Sequence, residues 1–201
     1  LTADSLVAAR NSPHLEGFRR KGYEVLLLTD RIDEWVVSHL TEYEGKPLVS
    51  VAAAAADVEG AVEAPDKARH EGAYKDTLSR LEQVLSGRVA SVRLSGRLTE
   101  SAACLVAPGH GLSRRLEAML RQSGESVPAT QPILELNPEH PVVARLQQTE
   151  GDDAFADLAE ILLGQATLAE GAVLEDPSGF VKRLNRLLLQ GQGEDASRII
   201  V

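Results

Sequence analysis

The sequence predicts a mixed α/β (α+β) fold in two modules, and three observations carry that reading. Short apolar runs bounded by Gly, Pro and Asn alternate with amphipathic helical patterns, as in a small mixed sheet covered by helices. The patterned part of the chain closes with two consecutive amphipathic helices and no strand between them. Between the halves, residues 52–72 are rich in Ala and acidic residues and carry Gly60, Pro65 and Gly72, the composition of a linker. The division follows: a first module over 1–55, a linker over 56–72, a second module over 73–190, and a disordered tail over 191–201.

In the first module Ser12 suits an N-cap and Pro13 the first helical position, where its missing N–H costs nothing. Gly22 can take the left-handed turn that ends this helix, behind Arg19, Arg20 and Lys21. Residues 25–28 form a continuous apolar run, expected of a strand covered on both faces. Asp30 is then expected to cap a helix carrying Ile32, Trp35, Val36, His39 and Leu40. A turn at Glu44-Gly45-Lys46 leads to a second strand at 47–51.

The second module opens with a helix over 77–85, with Leu78, Leu81, Val84 and Leu85 on one face and Gly87 as its stop. Strands are expected at 89–94, 102–107 and 133–136, and a helix at 112–122 ended by Gly124. Asn137 is expected to cap a helix that starts at Pro138. The closing helices span about 152–169 and 177–190, separated by Gly171 and Asp176-Pro177.

Composition narrows function. Of 201 residues, 43% are hydrophobic, enough for a real core, but aromatics are only 3%, so that core must be Leu, Val, Ile and Ala. A formal net charge of -9 argues against a duplex-binding surface, because nucleic acid is held first by phosphate-neutralising cations. Cys104 is the single cysteine; it excludes an intrachain disulfide, fits a reducing cytoplasm, and within AACLVA reads as a buried structural thiol. No apolar run reaches membrane-spanning length and no signal peptide is visible, although a start at Leu1 suggests a fragment of a longer protein.

The two closing helices have matching stripes: Phe155, Leu158, Leu162, Leu163 and Ala166 on one, Phe180, Val181, Leu184, Leu187 and Leu188 on the other. Such a hairpin is half of a four-helix bundle, which a two-fold axis would complete from a second chain. Periodicity alone leaves open whether the stripes face that copy or their own domain. The helix at 112–122 presents Leu112, Leu116, Met119 and Leu120, either as core or as an adaptable apolar surface. Trp35 is either a core anchor or an exposed contact.

Several blocks resemble, in order and spacing, the ninety-kilodalton heat-shock chaperone family in its bacterial, HtpG-type form. They are SPHLEGFRRKGYEVLLLTDRIDEW from Ser12, VRLSGRLTESAACLVA from Val92, ILELNPEHPVV from Ile133 and ILLGQATLAEGAVLEDPSGFVKRLNRLL from Ile161. The resemblance implies the end of an αβα middle domain followed by a C-terminal domain whose helical hairpin forms a dimeric four-helix bundle. It implies a homodimer that binds partly folded client proteins, with the dimer interface on the ten hairpin residues named above. It further implies client contacts at Trp35, Ser38, Leu112, Leu116, Met119 and Leu120, and ATP with magnesium held by a separate N-terminal domain, leaving no cofactor, metal or catalytic residue here. Ser38 stands where the family often has Asn.

A different class of function remains open on the residues: a small cytosolic enzyme with a cleft site near Glu135, Glu139 and His140, or a structural adaptor without client affinity. No phosphate-cradling glycine motif and no metal-ligand spacing accompanies these groups.

Overall fold

The computed structural model describes residues 1–52, 64–108, 114–125 and 130–193. Its centre is a three-stranded sheet in the order β3-β5-β4, built from β3 (Ser91–Leu94), β4 (Ala103–Val106) and β5 (Ile133–Leu136). β3 runs parallel to β5 and β4 antiparallel to it, the mixed sheet expected of the second module. The register stacks Val92, Leu134 and Leu105 in one cross-strand row and Arg93, Glu135 and Cys104 in the next. Because side chains alternate along a strand, one face is apolar and the other carries Arg93 and Glu135 beside a small apolar cluster of Cys104, Val106 and Leu98.

Helices cover the apolar face. α4 (Ala64–Val84) lies along β3, α7 (Asp152–Ala169) lies on β4, and α6 (Pro141–Gln148) fits against both helices. Tyr74, Leu81, Leu85, Leu134, Leu136, Val143, Phe155 and Leu162 form the core. Arg80 fastens the α6–α7 connection: it donates to the Thr149 and Glu150 carbonyls at 2.8 and 3.0 Å and its guanidinium stacks 3.9 Å over the Phe155 ring. α8 (Pro177–Gly193) folds back on α7, with the Phe180 ring so close to Gly164 that a Cβ there would lie 2.5 Å from it. Asp157 on α7 binds Arg186 and Arg183 of α8 at 2.8 and 3.4 Å.

The first module departs from expectation. Ser12 caps a 3-10 turn at Pro13–Leu15 that leads into α2 (Glu16–Arg20), and Gly22 is left-handed at φ 68° as the turn required. The apolar run 25–28 is not a doubly covered strand: it pairs only with residues 1–3, through an isolated Thr2–Leu28 bridge, and Leu26 is 69% exposed. Asp30 does not cap the following helix α3 (Asp33–His39) with its side chain; its N–H donates instead to the Asp33 carboxylate at 2.8 Å. The expected strand at 47–51 is replaced by a two-residue hairpin, β1 (Glu42–Tyr43) with β2 (Lys46–Pro47), because positive φ at Glu44 and Gly45 turns the chain straight back. α1 (Leu6–Arg10) precedes them all.

Two other boundaries move. The linker set at 56–72 overlaps α4, which begins at Ala64, so its second half is helical; residues 53–63 lie outside the described set. The cap expected of Asn137 belongs to His140, whose Nδ1 accepts the Val142 N–H at 3.2 Å with Pro141 in the first helical position. Asn137 instead accepts from the Glu139 N–H, closing the turn before the helix. The tail set at 191–201 is helical to Gly193, and the remainder lies outside the described residues.

Candidate functional site

The two helices of the closing hairpin use their stripes differently. On α7, Phe155, Leu158, Leu162 and Ala166 are buried in the core of their own domain, with Leu163 half-buried beside them. The expectation that these residues face a second copy is therefore corrected for the four buried ones: β4 and α4 already cover them. On α8, Phe180, Leu184 and Leu187 are half-buried, whereas Val181 is 51%, Leu188 62% and Leu189 68% exposed. Leu168 and Val173, at the hairpin bend, are exposed too. A small cavity of about 200 Å³ at the root of the hairpin is lined by Arg145, Asp157, Arg186 and Leu187 among others. The open stripe thus sits on α8 and the bend, a longer apolar run than a solvated helix needs.

A second apolar surface forms where α3 lies against α5 (Arg114–Gln122). α3 turns its polar and apolar sides the unusual way round: Glu34 is buried, while Ile32, Val36, Leu40 and Trp35, the last 41% exposed, reach solvent. Ser38 donates to the Trp35 carbonyl at 2.8 Å, so its hydroxyl serves the helix backbone locally. On α5, Leu116 is buried and Met119 and Leu120 are half-buried; Leu112 falls outside the described residues. Leu116 therefore anchors α5, and Trp35 with Met119 and Leu120 forms the accessible part of the expected set.

The charged face of the sheet lies under the first module. Glu135 accepts from Arg97 Nε at 3.0 Å, from Arg93 at 2.5 and 3.0 Å, and from Ser95 Oγ at 3.2 Å. Burial alone would raise its pKa, but the Arg97 charge and the Arg93 hydrogen bond and charge outweigh that and hold the carboxyl below the usual range. Arg97 passes on to the Val51 carbonyl of the first module at 2.9 Å. Burial pushes the Cys104 thiol upward, with the Glu135 charge adding to it, as befits a structural cysteine.

Across the same joint, Glu16 of α2 accepts the N–H groups of Thr99, Glu100 and Ser101 at 2.6, 2.9 and 3.1 Å and the Ser101 hydroxyl at 2.5 Å. Its own burial raises the pKa, yet these bonds, Ser101 foremost, bring it below the usual value. Arg20 donates to the Gly96 carbonyl at 3.2 Å, and Gly17 sits flush on Arg97, where a Cβ would come within 2.8 Å of the Arg97 Cβ. His14 approaches Glu170 at the end of α7 at 3.7 Å. The sequence reading missed this joint. Its signal was Glu135 alone in the apolar run ILEL, a charge that needs a counterion once the strand is buried.

This arrangement takes apart the alternative acid–base site. Glu135 is ion-paired under the first module, Glu139 is exposed, and the His140 Nδ1 is committed to its helix cap. Among the described residues no group of three His, Cys, Asp or Glu is arranged to hold a metal ion.

These features define an α+β protein with exposed apolar side chains on α3 and α8 and a charged network that ties the first 51 residues to the central sheet. The chain belongs to the Hsp90 protein family, whose sequence profile matches residues 1–199. It is 51% identical over 191 residues to the chaperone protein HtpG of Methylococcus capsulatus, and 50% identical over 191 residues to that of Cupriavidus taiwanensis. The HtpG of Nitrosomonas europaea is 51% identical over 193 residues. Each comparison covers 94% of this chain but 30% of the relative, so the chain spans about three tenths of the length of these curated proteins. No helix among the described residues is long and apolar enough to cross a membrane.

Proposed function

We propose that this chain is the end of the middle domain and the C-terminal domain of a bacterial HtpG-type chaperone, the part that joins two protomers and holds partly folded client proteins. The observation that carries this reading is the open stripe of α8, Val181, Leu188 and Leu189, continued by Leu168 and Val173 at the bend. Three exposed apolar side chains on one helix, with two more at the bend, are costly in water, and a two-fold copy of the same hairpin supplies a matching surface. The resulting four-helix bundle uses α8 as its contact and α7 as the support that holds α8 in place.

Client binding falls to Trp35, Met119 and Leu120, with Ser38 one turn on from Trp35; the family resemblance adds Leu112, which lies outside the described residues. Leu116 supports it from beneath. A large indole and a flexible thioether suit varied apolar segments. Client capture by these groups is mechanical, and the chain carries no catalytic step. ATP with magnesium belongs, in this reading, to a part of the longer chaperone outside residues 1–201, and the protein works in the cytoplasm.

Sedimentation tests the reading. The chain is expected to run at twice its monomer mass, and Val181→Asp with Leu188→Asp to run as a folded monomer, because each buried carboxylate would lack a partner. A folded monomer before any substitution, a dimer indifferent to both, or nucleotide binding by this chain overturns it.

A further inference from the structure

We infer that Glu16 and Ser101 form a latch that sets how Trp35 and Met119 are presented together, so that client affinity is governed from a point that touches no client. The inference rests on the client-binding reading above and deepens it. Trp35 stands on α3 in the first module and Met119 on α5 in the second, and the two helices lie against each other. The patch is therefore composite: it exists only while the modules keep their present angle.

That angle is held at α2. The Glu16 carboxylate gathers three successive backbone N–H groups and the Ser101 hydroxyl, at 2.5–3.1 Å, in the loop between β3 and β4. Charge-assisted bonds of this kind are among the strongest a half-exposed carboxylate makes, and their geometry fixes orientation as well as distance. Gly17 lets the backbone of α2 settle directly on Arg97, and Arg20 reaches the Gly96 carbonyl on the neighbouring turn. Glu16 and Ser101 are positioning residues: without them α2 can lift from the loop, and α3 with it.

The chain has a single tryptophan, Trp35, so its fluorescence comes from α3, the helix that lies against α5. In Glu16→Ala, acrylamide is expected to quench Trp35 more readily while helix content and assembly state stay unchanged. If the competent arrangement falls to about a tenth of the population, the apparent Kd for a destabilised test protein rises about tenfold. Ser101→Ala is expected to give the same changes in smaller measure, and Ser101→Thr, which keeps the hydroxyl donor, to restore both. Unchanged quenching, or looser Trp35 with unchanged client affinity, overturns the latch. Should Glu16→Ala fail to fold, the Ser101 pair decides alone. Trp35→Ser and Met119→Ser serve as the parallel control: if neither weakens client binding, the client reading itself fails. If both weaken it and the latch variants do not, only the latch fails.

Discussion

The two faces of the central sheet are made of the same three strands, yet they hold their partners by different physics. Leu134, Leu105 and Val92 meet α4 and α7 through apolar area, which is non-directional and indifferent to pH. Arg93, Glu135 and Cys104, one residue out of phase, lie beneath the first module and engage it through Arg97 and the β3–β4 loop. The apolar face makes the second module a permanent unit. The charged face makes a joint that is specific in angle and sensitive to the loss of any one group.

The sharpest way to break this comparison is Glu135→Ala. Removing it strands Arg97 in the interior and is expected to cost about 3–5 kcal/mol in urea unfolding. Replacing both partners, Glu135→Leu with Arg97→Met, should recover most of that stability while leaving Trp35 more exposed to quenchers, because the Val51 carbonyl loses its donor. A double variant as unstable as the single one would show that the network builds the sheet rather than the joint. On the opposite face, Leu162→Ala should cost about 2–5 kcal/mol by opening a cavity in the core. No second substitution at the joint should rescue it, and Trp35 quenching should change only when the whole module unfolds.

Much of the apolar face was legible in the sequence, because period and punctuation decide it. The stripe Leu78, Leu81, Val84 and Leu85 and the strand at 133–136 needed only helical spacing, Gly87 and two flanking prolines. The closing helices were legible for the same reason, but not which stripe would be open: α7 and α8 carry similar periodicity, and only the β4 contact separates them. The first module misled because an apolar run such as 25–28 states that cover is needed and not what supplies it. The charged joint was hardest to see, since Glu16, Gly17, Arg97 and Ser101 lie far apart in the chain and each reads locally as helix surface or turn. At Trp35 the sequence left core and contact open; the structure puts it at the surface of α3, the helix that lies against α5.

Acid gives the gentlest separation of the two faces. Glu16 has its pKa held below the ordinary 4.5 in the docked state, so its contribution is complete above that value and is lost as pH falls through the depressed one. Glu135 is shifted the same way, so acid weakens the joint from both carboxylates, whereas α4 and α7 hold the apolar face through a core that does not titrate, with the Arg80–Asp152 and Arg88–Glu160 pairs at its edge. Trp35 emission is therefore expected to change at higher pH than the far-ultraviolet helix signal. The effect of Glu16 itself is small, because its half-exposed carboxylate is screened by solvent. Glu16→Gln should remove its share of the early Trp35 transition and leave that of Glu135, while the His14–Glu170 contact at the far side of the joint is untouched by the substitution. A single acid midpoint for both signals, the same with and without Glu16, would mean that the two faces open together and that the joint is no weaker than the core it rests on.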